Sequence, residues 1–340
     1  MKVTANLIKI WNSGHSLQKE GLFLAETETM RLERAKPGAN AIRRKRLWAA
    51  VAATVILLAI LSMMAVAGYV GWQLTHPEPE PIAAYPADYG LEKLDIEFRS
   101  ALGNVLLKGW LIPAQDSKKI AVFAHGYGDN RSNVEPTLPL AKALHDQGIA
   151  SLLFDFRNSG ESEKDITSVG QFEKADLLSS IDYAKSLGYE QIGLIGFSMG
   201  GATALIAAPE TNDVRFVVAD SPFADLETYL RDNLSKWSEL PNFPFTPLIM
   251  TEIPLVTGID PSKVRPVEAI RKLRDLPILL VHAENDDLIS YENSVILKEA
   301  SGSAKTELWT TPGDGHIGAY KHDPQQYVKK VTDFAVAHFR

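Results

Sequence analysis

The sequence predicts an α/β domain with a mostly parallel central sheet and helices on both faces, preceded by one transmembrane helix. Three observations predict it. Short continuous apolar runs at Ile120–Ala124, Ser151–Phe154, Ile192–Ile195, Phe216–Ala219 and Ile278–Val281 alternate with helical stretches at Leu138–Gln147, Phe172–Leu187 and Ala202–Ala208. Buried strands separated by helices form a parallel sheet covered on both sides. Next, no residue from Leu47 to Trp72 carries a charge. Finally, the stretch I-G-L-I-G-F-S-M-G-G at 192–201 reads as strand, tight turn and alanine-rich helix, with a serine at the tip.

Composition narrows the chemistry. With 340 residues and 45% hydrophobic content the chain can bury one large domain plus extras. A net charge of -7 argues against a nucleic-acid partner. The absence of cysteine removes thiol nucleophiles, disulfides and cysteine-based zinc sites. There is no H-E-x-x-H and no Walker loop, so no metal or cofactor is expected. Gly313-x-Gly315-x-x-Gly318 matches the dinucleotide fingerprint formally, but only one helix follows it and the further strand such a site needs is missing. Oligomeric state is not legible.

In chain order, residues 1–46 read as a polar cytoplasmic tail with a short amphipathic helix about Leu22 to Ala35, closing on Arg43-Arg44-Lys45-Arg46. Residues 47–74 form the anchor. As a helix the apolar run spans about 39 Å, enough to cross a hydrocarbon core of about 30 Å. A cleavable signal is the rival, since Ala65-Val66-Ala67 resembles a cleavage site; the run is too long for a signal and its basic cluster too far from Met1. Basic residues before the helix place the N-terminus in the cytoplasm and the remainder outside the cell membrane. Residues 75–85, with Pro77, Pro79 and Pro81 interleaved with acids, are a stiff spacer leading away from the membrane. The domain proper occupies 86–340. It opens with alternating strands at Leu94–Phe98 and Val105–Ile112 and ends with a strand at Glu307–Thr310 and a helix at Gln325–His338. A proline- and aromatic-rich segment at about 222–265 interrupts the alternation and reads as a lid, either an acyl-binding wall or packing onto the body.

The candidate site is assembled from strand ends. A serine at a strand–helix elbow is held in a strained conformation that tolerates only very small neighbours, here Gly196 and Gly200. Ser198 is the candidate nucleophile. Its base must be a histidine to work near neutral pH. His316 follows the last strand in Pro312-Gly313-Asp314-Gly315-His316, a loop able to swing an imidazole over the sheet edge; His322 is the fallback. The orienting acid comes from Glu284-Asn285-Asp286-Asp287, with Asp286 preferred and Asp287 the open alternative. Oxyanion donors are the backbone N–H groups of Met199 and of Tyr127, which follows His125-Gly126 after the Ile120–Ala124 strand. His125 and Gly126 read as structural members of that loop, and Asp220 as a structural acid.

With these pieces in hand, residues from about 90 to 340 resemble the α/β-hydrolase superfamily, within it the bacterial membrane-anchored serine hydrolases of the serine aminopeptidase and BEM46-like groups. The resemblance rests on His125-Gly126, Asp155-Phe156-Arg157-Asn158-Ser159-Gly160-Glu161-Ser162, the elbow Gly196–Gly201, Asp286 and Gly315-His316, in that order. Ala283 and Ser290 depart from the family's usual Gly and Pro around the acid. It implies that Arg157 braces the loop beside the elbow. The reading is a serine esterase acting on a small-molecule or lipid-like acyl ester. An aminopeptidase or acyl-peptide amidase with the same triad, and a non-catalytic binding module, are the alternatives.

Overall fold

A computed structural model describes residues 38–301 and 303–339. The helix expected about Leu22 to Ala35 lies outside the described residues. The chain divides into two compact units, residues 1–63 and 64–340. The described part of the first is helical from Ala39 and exposed almost throughout, the outcome for a uniformly apolar stretch with no core to enter. That helix, α1, runs from Ala39 to Thr75, so it starts earlier than the charge pattern alone implied and takes in the basic cluster. Its last three turns belong to the second unit.

The second unit is built on an eight-stranded sheet in the order β1-β2-β4-β3-β5-β6-β7-β8. β1 (Leu94–Arg99) and β2 (Leu106–Ile112) pair antiparallel, and β2 pairs antiparallel with β4 (Ala150–Phe154). β3 (Lys119–Ala124), β5 (Gln191–Phe197), β6 (Val214–Asp220), β7 (Ile278–Asn285) and β8 (Thr306–Asp314) continue the sheet in parallel. Side chains alternate across each strand. In β5, Ile192 and Leu194 therefore join one buried cluster, with Leu177 and Ile181 of α3 (Glu173–Ser186) and Leu205 of α4 (Met199–Ala207). Ile195 and Phe197 join the other, with Leu140 and Leu144 of α2 (Thr137–Asp146). Two apolar faces buried by helices explain why the central strands are continuous apolar runs.

The insertion after β6 carries α5 (Leu226–Ser238) and α6 (Asn242–Thr257). Asp225 caps α5, its carboxylate accepting the Thr228 N–H, and Gly258 ends α6 at φ 72°. A short α7 (Pro266–Ile270) leads to β7; α8 (Glu292–Ser301), α9 (Gly318–His322) and α10 (Pro324–His338) complete the fold.

The spacer is held along the body of the second unit. Asn130 Nδ2 donates to the Glu80 and Pro81 carbonyls, Asn133 Nδ2 to Pro81, and Asn158 Nδ2 to Pro77. Prolines offer acceptors and no donors, so side-chain amides of the body hold this segment down. The end of α1 is fixed as well, within the second unit. Ala67 is fully buried against Leu234 of α5 and Ile249 of α6, and the Thr75 carbonyl accepts the Thr167 N–H at 2.9 Å.

Candidate active site

Ser198 caps α4 at the end of β5 with φ 52° and ψ -118°, a left-handed conformation that costs a non-glycine residue of order 1–3 kcal/mol. The close approach that enforces it is visible on both sides. A Cβ on Gly200 would lie 2.0 Å from the Ala124 carbonyl oxygen, and one on Gly196 would lie 2.3 Å from the Gly200 oxygen. Strain there is held by the Ser198 N–H, which donates to the Asp220 carbonyl at 2.8 Å.

The structure brings His316 and Asp286 together. His316 Nδ1 lies 2.8 Å from Asp286 Oδ2. Asp286 is 9% exposed, and its Oδ1 accepts the N–H groups of Leu288 and Ile289 at 2.9 Å each. Burial alone would raise its pKa, but hydrogen bonds from His282 and His316 and from the Ile289 amide outweigh burial and hold the carboxylate well below its usual range. Asp287, one residue on, points outward and is exposed, so it does not share this position. His316 Nε2 is buried without a hydrogen-bond partner, and His316 lines the same cavity as Ser198. No bond joins the serine hydroxyl to that nitrogen in this resting geometry; such bonds are often long until substrate binds. His322 ends α9 and is exposed.

One supporting residue went unassigned in the sequence. His282 is fully buried; its Nε2–H lies 2.8 Å from the Ile289 carbonyl and 3.3 Å from Asp286 Oδ2, and its Nδ1 lies 2.7 Å from Ser294 Oγ. A carbonyl can only accept, which sets the proton on Nε2 and makes Ser294 the donor to Nδ1. The signal available was a histidine inside an apolar strand, four residues before the acid that follows that strand.

Gly126, Tyr127 and Met199 line the cavity beside Ser198, and a Cβ on Gly126 would approach the Ser198 Cβ to 3.5 Å. His125 is buried; its Nδ1–H donates to the Gly126 carbonyl and its Nε2 accepts the Phe156 N–H at 3.0 Å. Burial first, and the Arg131 charge with it, push its pKa down to about 4, so it is neutral and ties two loops together. Arg157 donates to both oxygens of Asp176 and to Asp165. Asp220 accepts from Tyr327 and Ser221, a buried bracing acid outside the cavity.

The cavity, about 140 Å³, is walled by apolar side chains of the lid (Leu230, Leu234, Trp237, Met250, Ile253). Leu74 and Thr75, the end of α1, also line it, a contribution the sequence did not reveal. The Tyr127 hydroxyl donates to the Leu74 carbonyl at 2.8 Å, fastening the Gly126-Tyr127 loop to that helix end. Asp129 is the one carboxylate in the lining; burial raises its pKa to about 6 against an opposing hydrogen bond from the Asn130 amide. Among the described residues no group of histidine, aspartate and glutamate side chains could hold a metal ion.

Comparison with known proteins agrees with this architecture. Residues 121–243 match the alpha/beta hydrolase fold family. The chain is similar to an uncharacterized protein, YqkD, of Bacillus subtilis strain 168, 29% identical over 248 residues that cover 72% of this chain and 79% of the relative. Among solved structures it resembles the Pyrococcus furiosus esterase Pf2001, with TM-score 0.65, 25% identity, and coverage of 77% of this chain and 98% of that one. It also shares the fold of Est1E from Butyrivibrio proteoclasticus, solved with ferulic acid bound, with TM-score 0.58, 20% identity, and coverage of 72% and 98%. Strand order, elbow and matches together show that this chain has the α/β-hydrolase fold.

Proposed function

We propose that the protein is a membrane-anchored serine hydrolase that cleaves carboxylic esters through an acyl-enzyme. The observation that carries this reading is the imidazole of His316, bonded on one side to Asp286 at 2.8 Å and unpartnered on the other, in the cavity that Ser198 lines. Ser198 Oγ attacks the ester carbonyl while His316 Nε2 takes the hydroxyl proton. The Tyr127 and Met199 N–H groups hold the oxyanion, and Asp286 steadies the imidazolium. The tetrahedral intermediate expels the alcohol, which receives the proton from His316. Water then repeats the sequence on the acyl-serine, releasing the acid and restoring the enzyme. Apolar lid residues would take the acyl group. The similarity to the Pyrococcus furiosus esterase supports the ester class. The anchor reading rests on the apolar helix Ala39–Thr75, whose mean hydropathy reaches 2.6.

The test is labelling by a fluorophosphonate and hydrolysis of a short p-nitrophenyl ester. Ser198→Ala is expected to abolish labelling and lower kcat by about 10⁶-fold, the scale set when a triad serine is removed, with the far-ultraviolet circular dichroism unchanged. Full activity in that variant would remove Ser198 as nucleophile.

A second reading has one observation in its favour. Asp129 in the cavity lining would meet the ammonium of an aminoacyl substrate, as an aminopeptidase requires. Turnover of aminoacyl-nitroanilides in preference to esters would select it.

A further inference from the structure

The lid helix α6 has an outward face unlike that of its neighbour. On α5 the exposed positions include Arg231, Asp232 and Lys236, an ordinary solvated face. On α6 they are Asn242, Phe243, Pro247, Thr251, Leu255 and Val256, with no charge among them. Phe243 is 83% exposed, Leu255 81% and Val256 78%. The helix's only acid, Glu252, turns inward instead, toward Gly68 of α1. Such a face is costly in water and ordinary in lipid.

What lies beside α6 says which lipid phase this is. Its inner side packs on residues 67–74 of α1, all within the second unit. Ala67 is buried against Ile249, and a Cβ on Gly71 would touch Ile253 at 3.0 Å. Small residues at such a seam let two helices approach closely. Residues 67–72 are also the outer end of the apolar run, and there Tyr69 and Trp72 stand 61% and 52% exposed, as aromatic side chains do at a membrane–water boundary. The level at which α6 meets α1 is therefore the level of that boundary. The cavity reaches the same seam. Leu74 and Thr75 of α1, and Met250 and Ile253 of α6, line it together with Ser198.

We propose that α6 lies in the membrane interface with its uncharged face among the acyl chains, and that substrate enters the serine's cavity along the α1–α6 seam from the lipid phase. The substrate class is then a long-chain ester already dissolved in the bilayer. This rests on two readings made above, α1 as a membrane span and Ser198 as the nucleophile. The bilayer is the occupant of the exposed face because the stretch of α1 on which α6 packs, residues 67–74, carries the exposed Tyr69 and Trp72 at the end of the apolar run.

The test uses the full-length protein in vesicles of diether phosphatidylcholine, which carry no cleavable ester. Since the chain has no cysteine, Leu255→Cys and Leu58→Cys each accept a single environment-sensitive fluorophore, read by quenching from nitroxide-bearing lipids. Both labels are expected to be quenched. A quenched label at 58 with an unquenched one at 255 overturns the α6 proposal alone, and an unquenched label at 58 overturns the span reading with it. Activity supplies a second arm. The double variant Leu255→Lys, Val256→Lys is expected to hydrolyse 4-methylumbelliferyl oleate dissolved in the vesicles at least tenfold more slowly than the parent. Soluble 4-methylumbelliferyl acetate should be cleaved within twofold. Equal rates on the oleate overturn entry from the lipid phase; failure of the parent on the acetate overturns the hydrolase reading instead.

Discussion

Asp286 shows how much a single position decides. The two adjacent acids differ in nothing but which side of the chain they leave. One has two amide donors and two histidines around it and the other faces water. Asp286→Asn is expected to lower kcat about 10⁴-fold, because an amide favours the wrong imidazole tautomer. Asp287→Asn should change it less than twofold; steady-state kinetics on a soluble ester compare the two. The depressed pKa of Asp286 also fixes the sign of its contribution to stability. That contribution is complete above the unfolded carboxylate value, about 3.9, and fades only as pH falls through the lower folded value. Asp129 runs the other way. Its pKa of about 6 means the folded state holds this proton more tightly than the unfolded chain, so its share of stability declines as pH rises from about 4 to 6. Below about pH 6 Asp129, the one carboxylate in the lining, becomes neutral. The KM for an apolar ester is accordingly expected to fall as pH drops through 6, and Asp129→Asn should flatten that dependence while kcat keeps its own acid limb. A KM that ignores pH in the parent protein would count against a titrating carboxyl in the binding cavity.

At the scale of elements, the elbow between β5 and α4 is the tightest junction described. The contact a Gly200 Cβ would make is with backbone, the Ala124 carbonyl at 2.0 Å, which has no rotamer to change. Gly200→Ala is expected to cost about 3 kcal/mol, the upper part of the range for overpacking, read as a lower urea midpoint at constant m-value. The same tightness made this part of the chain legible. A turn that admits only Gly-x-Ser-x-Gly writes itself into five consecutive letters, and strands buried on both faces write themselves as apolar runs. The supporting parts left no such mark. Asn130 reaches the Glu80 carbonyl and Tyr127 the Leu74 carbonyl across about fifty intervening residues, and a hydrogen bond to a backbone oxygen imposes no residue type on its acceptor. His282 was hidden for a related reason: inside an apolar strand, a histidine with three satisfied contacts looks like any other core residue. What separates Asp286 from Asp287 is the set of contacts it makes with the Leu288 and Ile289 amides and with His316, thirty residues away, which no local pattern specifies.

Across the whole of the second unit, the end of α1, the insertion helices α5 and α6 and the Gly126-Tyr127 loop form one wall of the cavity. Gly71→Leu is expected to wedge Ile253 outward and spoil the deep end of the cavity. Losing contact with two methylenes of a bound acyl chain removes about 1.6 kcal/mol. The kcat/KM for a dodecanoyl ester in detergent should therefore fall roughly tenfold, with the acetyl ester nearly unaffected. A parallel loss on both would place the damage at the elbow.

The bond from Tyr127 to Leu74 has a practical corollary for anyone handling this protein. A protease that released the domain by cutting at the proline-rich strap, or a cloning design trimmed to the first residue past the helix, would leave Leu74 and Thr75 behind. What came free would carry Ser198 in a cavity missing one side, with the Tyr127 phenol without its tether. Selectivities measured on such a fragment would describe the fragment.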